Sequence, residues 1–84
     1  MKILLVEDDT ISQHAIANFS KRYGLDLDIA SNGKEAVELA EKSYYDLILM
    51  DLYMPEMNGM QATEKIRGFT NGSKLIIIAL SGGK

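Results

Sequence analysis

Apolar blocks and helix-capping signals alternate along this chain at short intervals. Ile3-Leu4-Leu5-Val6 is a continuous apolar run that stops at Glu7-Asp8-Asp9, the pattern of a strand buried on both faces. Thr10 followed by Gln13 has capping-box spacing and predicts a helix through about Arg22. Within it Ile11, Ala15, Ile16, Phe19 and Tyr23 recur at three- and four-residue spacing and predict one apolar face. Gly24 stands where a helix ends in a left-handed backbone. Leu25 to Ala30 sets Leu25, Leu27 and Ile29 against Asp26 and Asp28, as half-buried and edge strands do.

The alternation continues. Asn32 with Glu35 caps a second helix ending near Lys42, with Ala36, Val37, Leu39 and Ala40 inward. Asp46-Leu47-Ile48-Leu49-Met50-Asp51 reads as another buried strand, closed by a carboxylate. Asn58 with Gln61 caps a third helix over roughly Gly59 to Arg67, and Leu75 to Leu80 is the most apolar strand of all. Strands alternating with helices in the order βαβαβαβ predict a parallel sheet covered on both faces and joined by right-handed crossovers.

At 84 residues the chain allows a single small domain over 1–84. Hydrophobic residues at 46% and charged residues at 25% suit a globular domain and exclude disorder. Nine basic against twelve acidic side chains give a net charge of −3, which argues against nucleic acid or an acidic membrane as partner. The absence of cysteine removes disulfides and thiolate zinc sites and fits a reducing compartment. No apolar run approaches the ~20 residues that span a bilayer, and the N-terminal stretch lacks the length and cleavage site of a signal peptide. The expected location is the cytoplasm.

Ligands of open parallel sheets bind outside the carboxyl ends of the strands. Asp8 and Asp9 follow the first strand and Asp51 ends the third. If those strands are neighbours, three carboxylates converge, and their repulsion calls for a cation or shared protons. A hard ion such as Mg²⁺ suits such a set, and an aspartate beside it can attack phosphorus. Glu7-Asp8-Asp9 also has a plain reading as acids favoured by the first helix dipole, and Asp51 as a turn residue before Pro55. Both acid sets falling at the same end of two buried strands favours the site.

These residues resemble the receiver domain of two-component response regulators. The resemblance rests on Asp8-Asp9, on Asp51 followed by Met54-Pro55, on Asn58-Gly59, and on Ala79-Leu80-Ser81, in order and over the whole chain. It implies a partial flavodoxin-like fold with sheet order 2-1-3-4, lacking the fourth helix, fifth strand and fifth helix of the family. It implies that Asp51 accepts a phosphoryl group from a histidine kinase or phosphotransfer protein. Asp8, Asp9, Asp51 and the Tyr53 backbone carbonyl would arrange Mg²⁺, and Ser81 would bond a phosphoryl oxygen and move during the switch. The lysine that follows the family's fifth strand is expected to have no counterpart, since Lys84 lies three residues past Ser81, in the wrong loop.

Leu75 to Leu80 is written for burial on both sides, and leaving three such side chains exposed forfeits ~5–9 kcal/mol. An open strand edge beside that patch invites pairing, so a homodimer through the fourth-strand region is expected. His14 is expected to face solvent, Met50, Met54, Met57 and Met60 to fill gaps around the third strand, and Tyr44-Tyr45 to cover its start. A signalling module is thus expected rather than an enzyme. The alternative is a phosphorylation-impaired receiver that only self-associates or sequesters a kinase; a phosphate-ester hydrolase is disfavoured because no general acid or substrate pocket is evident.

Overall fold

The structure is a computed structural model, and it describes residues 1–51, 59–68 and 75–80. Its elements follow the expected order: β1 (Lys2–Val6), α1 (Thr10–Arg22), β2 (Asp26–Ala30), α2 (Gly33–Lys42), β3 (Leu47–Asp51), α3 (Gly59–Arg67) and β4 (Ile76–Leu80). The four strands form one parallel sheet in the order β2-β1-β3-β4. The partial flavodoxin-like fold expected from the sequence is therefore present. No helix among the described residues is long and apolar enough to cross a membrane.

The register sorts the strand residues onto two faces. Ile3 pairs with Leu27 and Leu47, Leu5 with Ile29 and Leu49, and Leu49 with Ile78. Since side chains alternate along a strand, the opposite face carries Leu4, Val6, Ala30, Ile48, Met50 and Ile77. Those residues join Ala36, Tyr45, Ala62 and Ile66 in a closed core beneath α2 and α3. Over the other face lies α1, which leaves Ile3 and Leu5 buried while Ile76 and Ile78 on β4 stay 61% and 47% exposed. The exposed fourth strand expected from the sequence is thus confirmed at Ile76 and Ile78, and at Ala79 on the opposite face.

Two helix ends hold their places through capping. The Asn32 side chain accepts from the Glu35 N–H at 2.8 Å, and Glu35 reaches back to the Ser31 N–H at 2.7 Å. At the end of α1, Gly24 takes φ +68°, the Leu25 N–H donates to the Ser20 carbonyl and the Gly24 N–H to that of Lys21. This is the Schellman pattern, which satisfies the last helical carbonyls. Asn58, expected to cap α3, lies outside the described residues.

Four expectations need correction. The residue that caps α1 is Asp9, not Thr10: its carboxylate accepts from the Ser12 N–H at 3.0 Å and the Ser12 hydroxyl at 2.8 Å. Starting one residue earlier frees Gln13 from the cap, and its amide turns inward instead. With Gln13 and Ser20 held against the fold, the stripe of Ile11, Ala15, Phe19 and Tyr23 faces outward, with Ile11 79% exposed. The Phe19 and Tyr23 rings pack on each other there, their centroids 4.7 Å apart. Met60 is exposed whereas Met50 is fully buried; Met54 and Met57 lie outside the described residues. Tyr44 is exposed, and only Tyr45 is buried, donating its hydroxyl to Asp28 at 2.7 Å. Burial first, and then the Asp28 carboxylate, push the Tyr45 phenol well above its ordinary range.

Candidate functional site

Val6 on β1 pairs with Met50 on β3. One step further along both strands, Glu7 and Asp51 stand opposite each other on the face that α1 covers. Asp51 is 7% exposed, held by the last residue of a central strand. Glu7, Asp8 and Asp51 each bring a carboxylate oxygen into one group whose members all lie within 4.8 Å of one another. The convergence of acids at the ends of β1 and β3 is therefore real, with Glu7 as a member the sequence reading passed over.

Glu7 shows the cost of that crowding. Its carboxyl is raised above the usual range, first by burial and then by the charges of Asp51, to which it also hydrogen-bonds, and of Asp8. One donor works the other way: the Asp9 N–H reaches a Glu7 carboxylate oxygen at 3.1 Å. Asp9, named with Asp8 in the sequence reading, turns its side chain toward Ser12 and is not a member of the cluster. Tyr53 and Ser81, the remaining site residues expected from the sequence, lie outside the described residues, as does Lys84.

The loop bearing Glu7 and Asp8 is tied to its neighbours. The Glu7 N–H donates to the Ala30 carbonyl at 3.0 Å, extending the β1–β2 ladder by one bond. The Glu7 carbonyl accepts from the Gln13 side-chain amide at 2.6 Å. The site therefore rests on three elements: β1 and β3 carry the carboxylates, and α1 braces the loop between them.

The donor set fits a hard divalent cation. It is made of oxygen ligands only, it carries excess negative charge, and its oxygens lie close to the separations a coordination sphere requires. At an Mg–O distance of about 2.1 Å, ligand oxygens are separated by about 3.0 Å when adjacent and about 4.2 Å when opposite. The observed spread of up to 4.8 Å needs only a small rotation of one carboxyl or a bridging water. A cation would also offset the repulsion that adds to burial in raising Glu7.

Glu7 could have been found from the sequence by a register argument. Placing the strand ends level makes the residue after Val6 the partner of Asp51, but the register itself was not legible. Taking Asp8-Asp9 as the acidic pair after the first strand shifted the pair by one.

Comparison with known proteins leads to the same place. The response regulator receiver domain family matches residues 3–84. The receiver domain of a sensor histidine kinase from Pseudomonas aeruginosa, with a magnesium ion coordinated in its active-site cleft, is 40% identical with a TM-score of 0.90, covering 93% of this chain and 64% of that one. The receiver domain of Ssk1 from Saccharomyces cerevisiae, solved with the histidine phosphotransfer protein Ypd1, is 34% identical with a TM-score of 0.86, covering 94% of this chain and 61% of that one. A probable histidine kinase of Oryza sativa subsp. indica is 47% identical over 70 residues, 83% of this chain but 7% of the kinase. The chain thus spans under two thirds of these receiver structures and a small part of the kinase. With its four-stranded fold, its strand-end acids and a family match from Ile3 to the last residue, the chain belongs to the response regulator receiver family.

Proposed function

We propose that this chain is the phosphoacceptor receiver module of a two-component phosphorelay, working in the cytoplasm as one domain over residues 1–84. Asp51 accepts the phosphoryl group from a histidine kinase or phosphotransfer protein. The observation that carries this reading is the nearly buried Asp51 carboxylate at the end of β3, grouped with Glu7 and Asp8. The magnesium-bearing P. aeruginosa receiver and the Ypd1–Ssk1 pair lend support from relatives.

Glu7, Asp8 and Asp51 would hold Mg²⁺, with the Tyr53 carbonyl as a further oxygen, while Asp9 serves as the helix cap. When bound, the ion supplies positive charge against the phosphoryl oxygens as they move. Asp51 is the nucleophile: one of its oxygens forms a bond to phosphorus as the N–P bond of a phosphohistidine breaks. The bonding pair stays on the imidazole nitrogen, which leaves neutral when the other ring nitrogen already carries a proton. The β3 backbone fixes the attacking oxygen in place, and the core behind it excludes water from one side. Ser81 would donate its hydroxyl to a phosphoryl oxygen of the product.

The test is incubation with Mg²⁺ and acetyl phosphate, read by intact-protein mass spectrometry. An adduct of one phosphoryl group that disappears in Asp51→Asn is expected. No adduct at millimolar donor refutes the phosphoacceptor reading.

The exposed Ile76 and Ile78 favour a second reading, in which the chain self-associates as a homodimer through β4 and acts by sequestering a kinase. Light scattering coupled to size exclusion separates them: a monomer at tens of micromolar refutes the dimer and leaves the phosphoacceptor reading intact.

A further inference from the structure

Gln13, which the sequence reads as a capping-box partner in the first turn of α1, is turned inward instead. Its amide nitrogen donates to the Glu7 carbonyl at 2.6 Å and lies 3.4 Å from the Ser31 hydroxyl. Because a carbonyl only accepts, the side-chain orientation is settled: the NH₂ group, not the amide oxygen, must face Glu7. The contact joins residues six apart, so it is not a helix-internal bond.

The carbonyl it holds is an unusual one to brace. β1 ends at Val6, so the Glu7 carbonyl has no place in the sheet ladder, and a partly buried carbonyl without a donor is costly. That carbonyl also defines the peptide plane between Glu7 and Asp8. The Cα atoms of both residues lie in this plane, so the directions in which the two carboxylates leave the backbone follow its orientation. The Glu7 N–H on the other side is fixed by Ala30. That N–H lies in the preceding peptide plane, so the planes on both sides of the Glu7 Cα are each held by one hydrogen bond.

The chain of bonds extends outward from there. Ser31, the weaker partner of Gln13, has its own N–H held by Glu35, and Glu35 belongs to the cap of α2. Two loops at the carboxyl edge of the sheet are thereby linked through one amide. The stronger bond goes to the loop with the acids.

We propose that Gln13 is the positioning residue of the acidic site, its amide clamping the Glu7 carbonyl so that the Glu7 and Asp8 carboxylates are aimed at a shared divalent cation. The inference rests on the Mg²⁺ reading of the site. Gln13 touches neither the cation nor the phosphoryl group. It acts on affinity by keeping the ligands arranged before the ion arrives, as supporting hydrogen bonds do at metal sites.

The experiment compares the full chain with Gln13→Met, which keeps length and bulk but has no donor, and with Ser31→Ala, which removes only the longer contact. Mg²⁺ affinity is measured by calorimetric titration. In parallel, the carbonyl carbon resonance of Glu7 is followed by NMR in the metal-free protein. A purely structural role for Gln13 would not couple these two readouts.

Gln13→Met is expected to weaken Mg²⁺ binding about tenfold, the low end for supporting-residue losses, and Ser31→Ala by no more than about twofold. The Glu7 carbonyl resonance should move in Gln13→Met before any metal is added, and stay in Ser31→Ala. Should Gln13→Met not fold, Gln13→Asn, whose amide is one methylene too short to reach, carries the same comparison with the same expected loss. Wild-type binding with an undiminished Gln13 variant and an unmoved Glu7 carbonyl overturns this inference alone. A wild-type chain that binds no Mg²⁺ overturns the reading of the site and this inference with it.

Discussion

Glu7→Gln should make the metal-free protein more stable and the metal-loaded protein less so. The carboxylates of Glu7, Asp8 and Asp51 lie within 4.8 Å of one another. A like-charge pair at that distance costs about 0.9 kcal/mol in water and about 3.5 kcal/mol at an effective dielectric of 20. Glu7 is only partly buried, so solvent screening brings the relief toward the lower figure, about 1 kcal/mol. Glutamine keeps an oxygen that can accept from the Asp9 N–H, so that bond is not lost. For a chain of 84 residues, 1 kcal/mol corresponds to a rise in melting temperature of about 6 °C.

Added Mg²⁺ should reverse the order. A ligand at one hundred times its dissociation constant stabilises the native state by about 2.7 kcal/mol, and the variant, one carboxylate short, gains less. Thermal melts across a Mg²⁺ series, read by circular dichroism, are therefore expected to cross. The sign with pH follows from the raised Glu7 carboxyl. An acid whose folded value lies above its unfolded one contributes stability below the unfolded value of 4.5 and loses it as pH rises through the folded one. Wild-type and variant curves should thus converge as pH falls toward 4.5 and separate above it. A Glu7→Gln protein that is less stable without metal, or that gains as much from Mg²⁺ as the wild type, refutes the placement of Glu7 in the cluster.

Other expectations follow from single residues. Gly24→Ala places a side chain at φ +68°, and since a Cβ there meets nothing within 4 Å, the loss is one of backbone strain alone; about 1–2 kcal/mol is expected by urea denaturation. Asp9→Ala should cost about 1 kcal/mol through the lost helix cap, while changing Mg²⁺ affinity far less than Asp8→Ala does in the same titration. Ile66→Ala opens the closed core beneath α3 and should cost about 2–5 kcal/mol, enough to unfold much of so small a domain at ambient temperature. Ile78→Lys puts a charge on the exposed floor of β4 and should shift any dimer seen by light scattering toward monomer without lowering the melting temperature of the dilute protein.

The order of elements was legible because each buried strand is a continuous apolar run and each helix begins near a hydrogen-bonding side chain. The observed helix ends at Arg22, Lys42 and Arg67 match the expected ones. The face of α1 was not legible. Its apolar residues do recur at helical spacing, yet the helix is turned by what its ends and Gln13 must bond: Asp9 with Ser12, Gln13 with the Glu7 carbonyl, and the Ser20 carbonyl with Leu25. Periodicity records where apolar residues lie relative to one another, and says nothing of polar side chains whose partners are loops. The acid pair was misplaced by one position for a related reason, since membership is decided by strand register.

The two faces of the sheet are finished differently, and this bears on the site. Leu4, Val6, Ile48 and Met50 are fully buried on one face beneath α2 and α3, so β1 and β3 are packed tightly from that side. Asp51 lies on the other face, in line with Leu47 and Leu49 and level with the strand that carries Ile76 and Ile78. The phosphoacceptor role proposed for Asp51 needs both conditions: a backbone that does not move and a side chain that a donor can reach. The closed core, with Met50 and Ile66 fully buried in it, supplies the first. The thinly covered face supplies the second. On this fold, the acids gather where packing stops, and the brace that Gln13 provides from α1 takes over where the strand ladder ends.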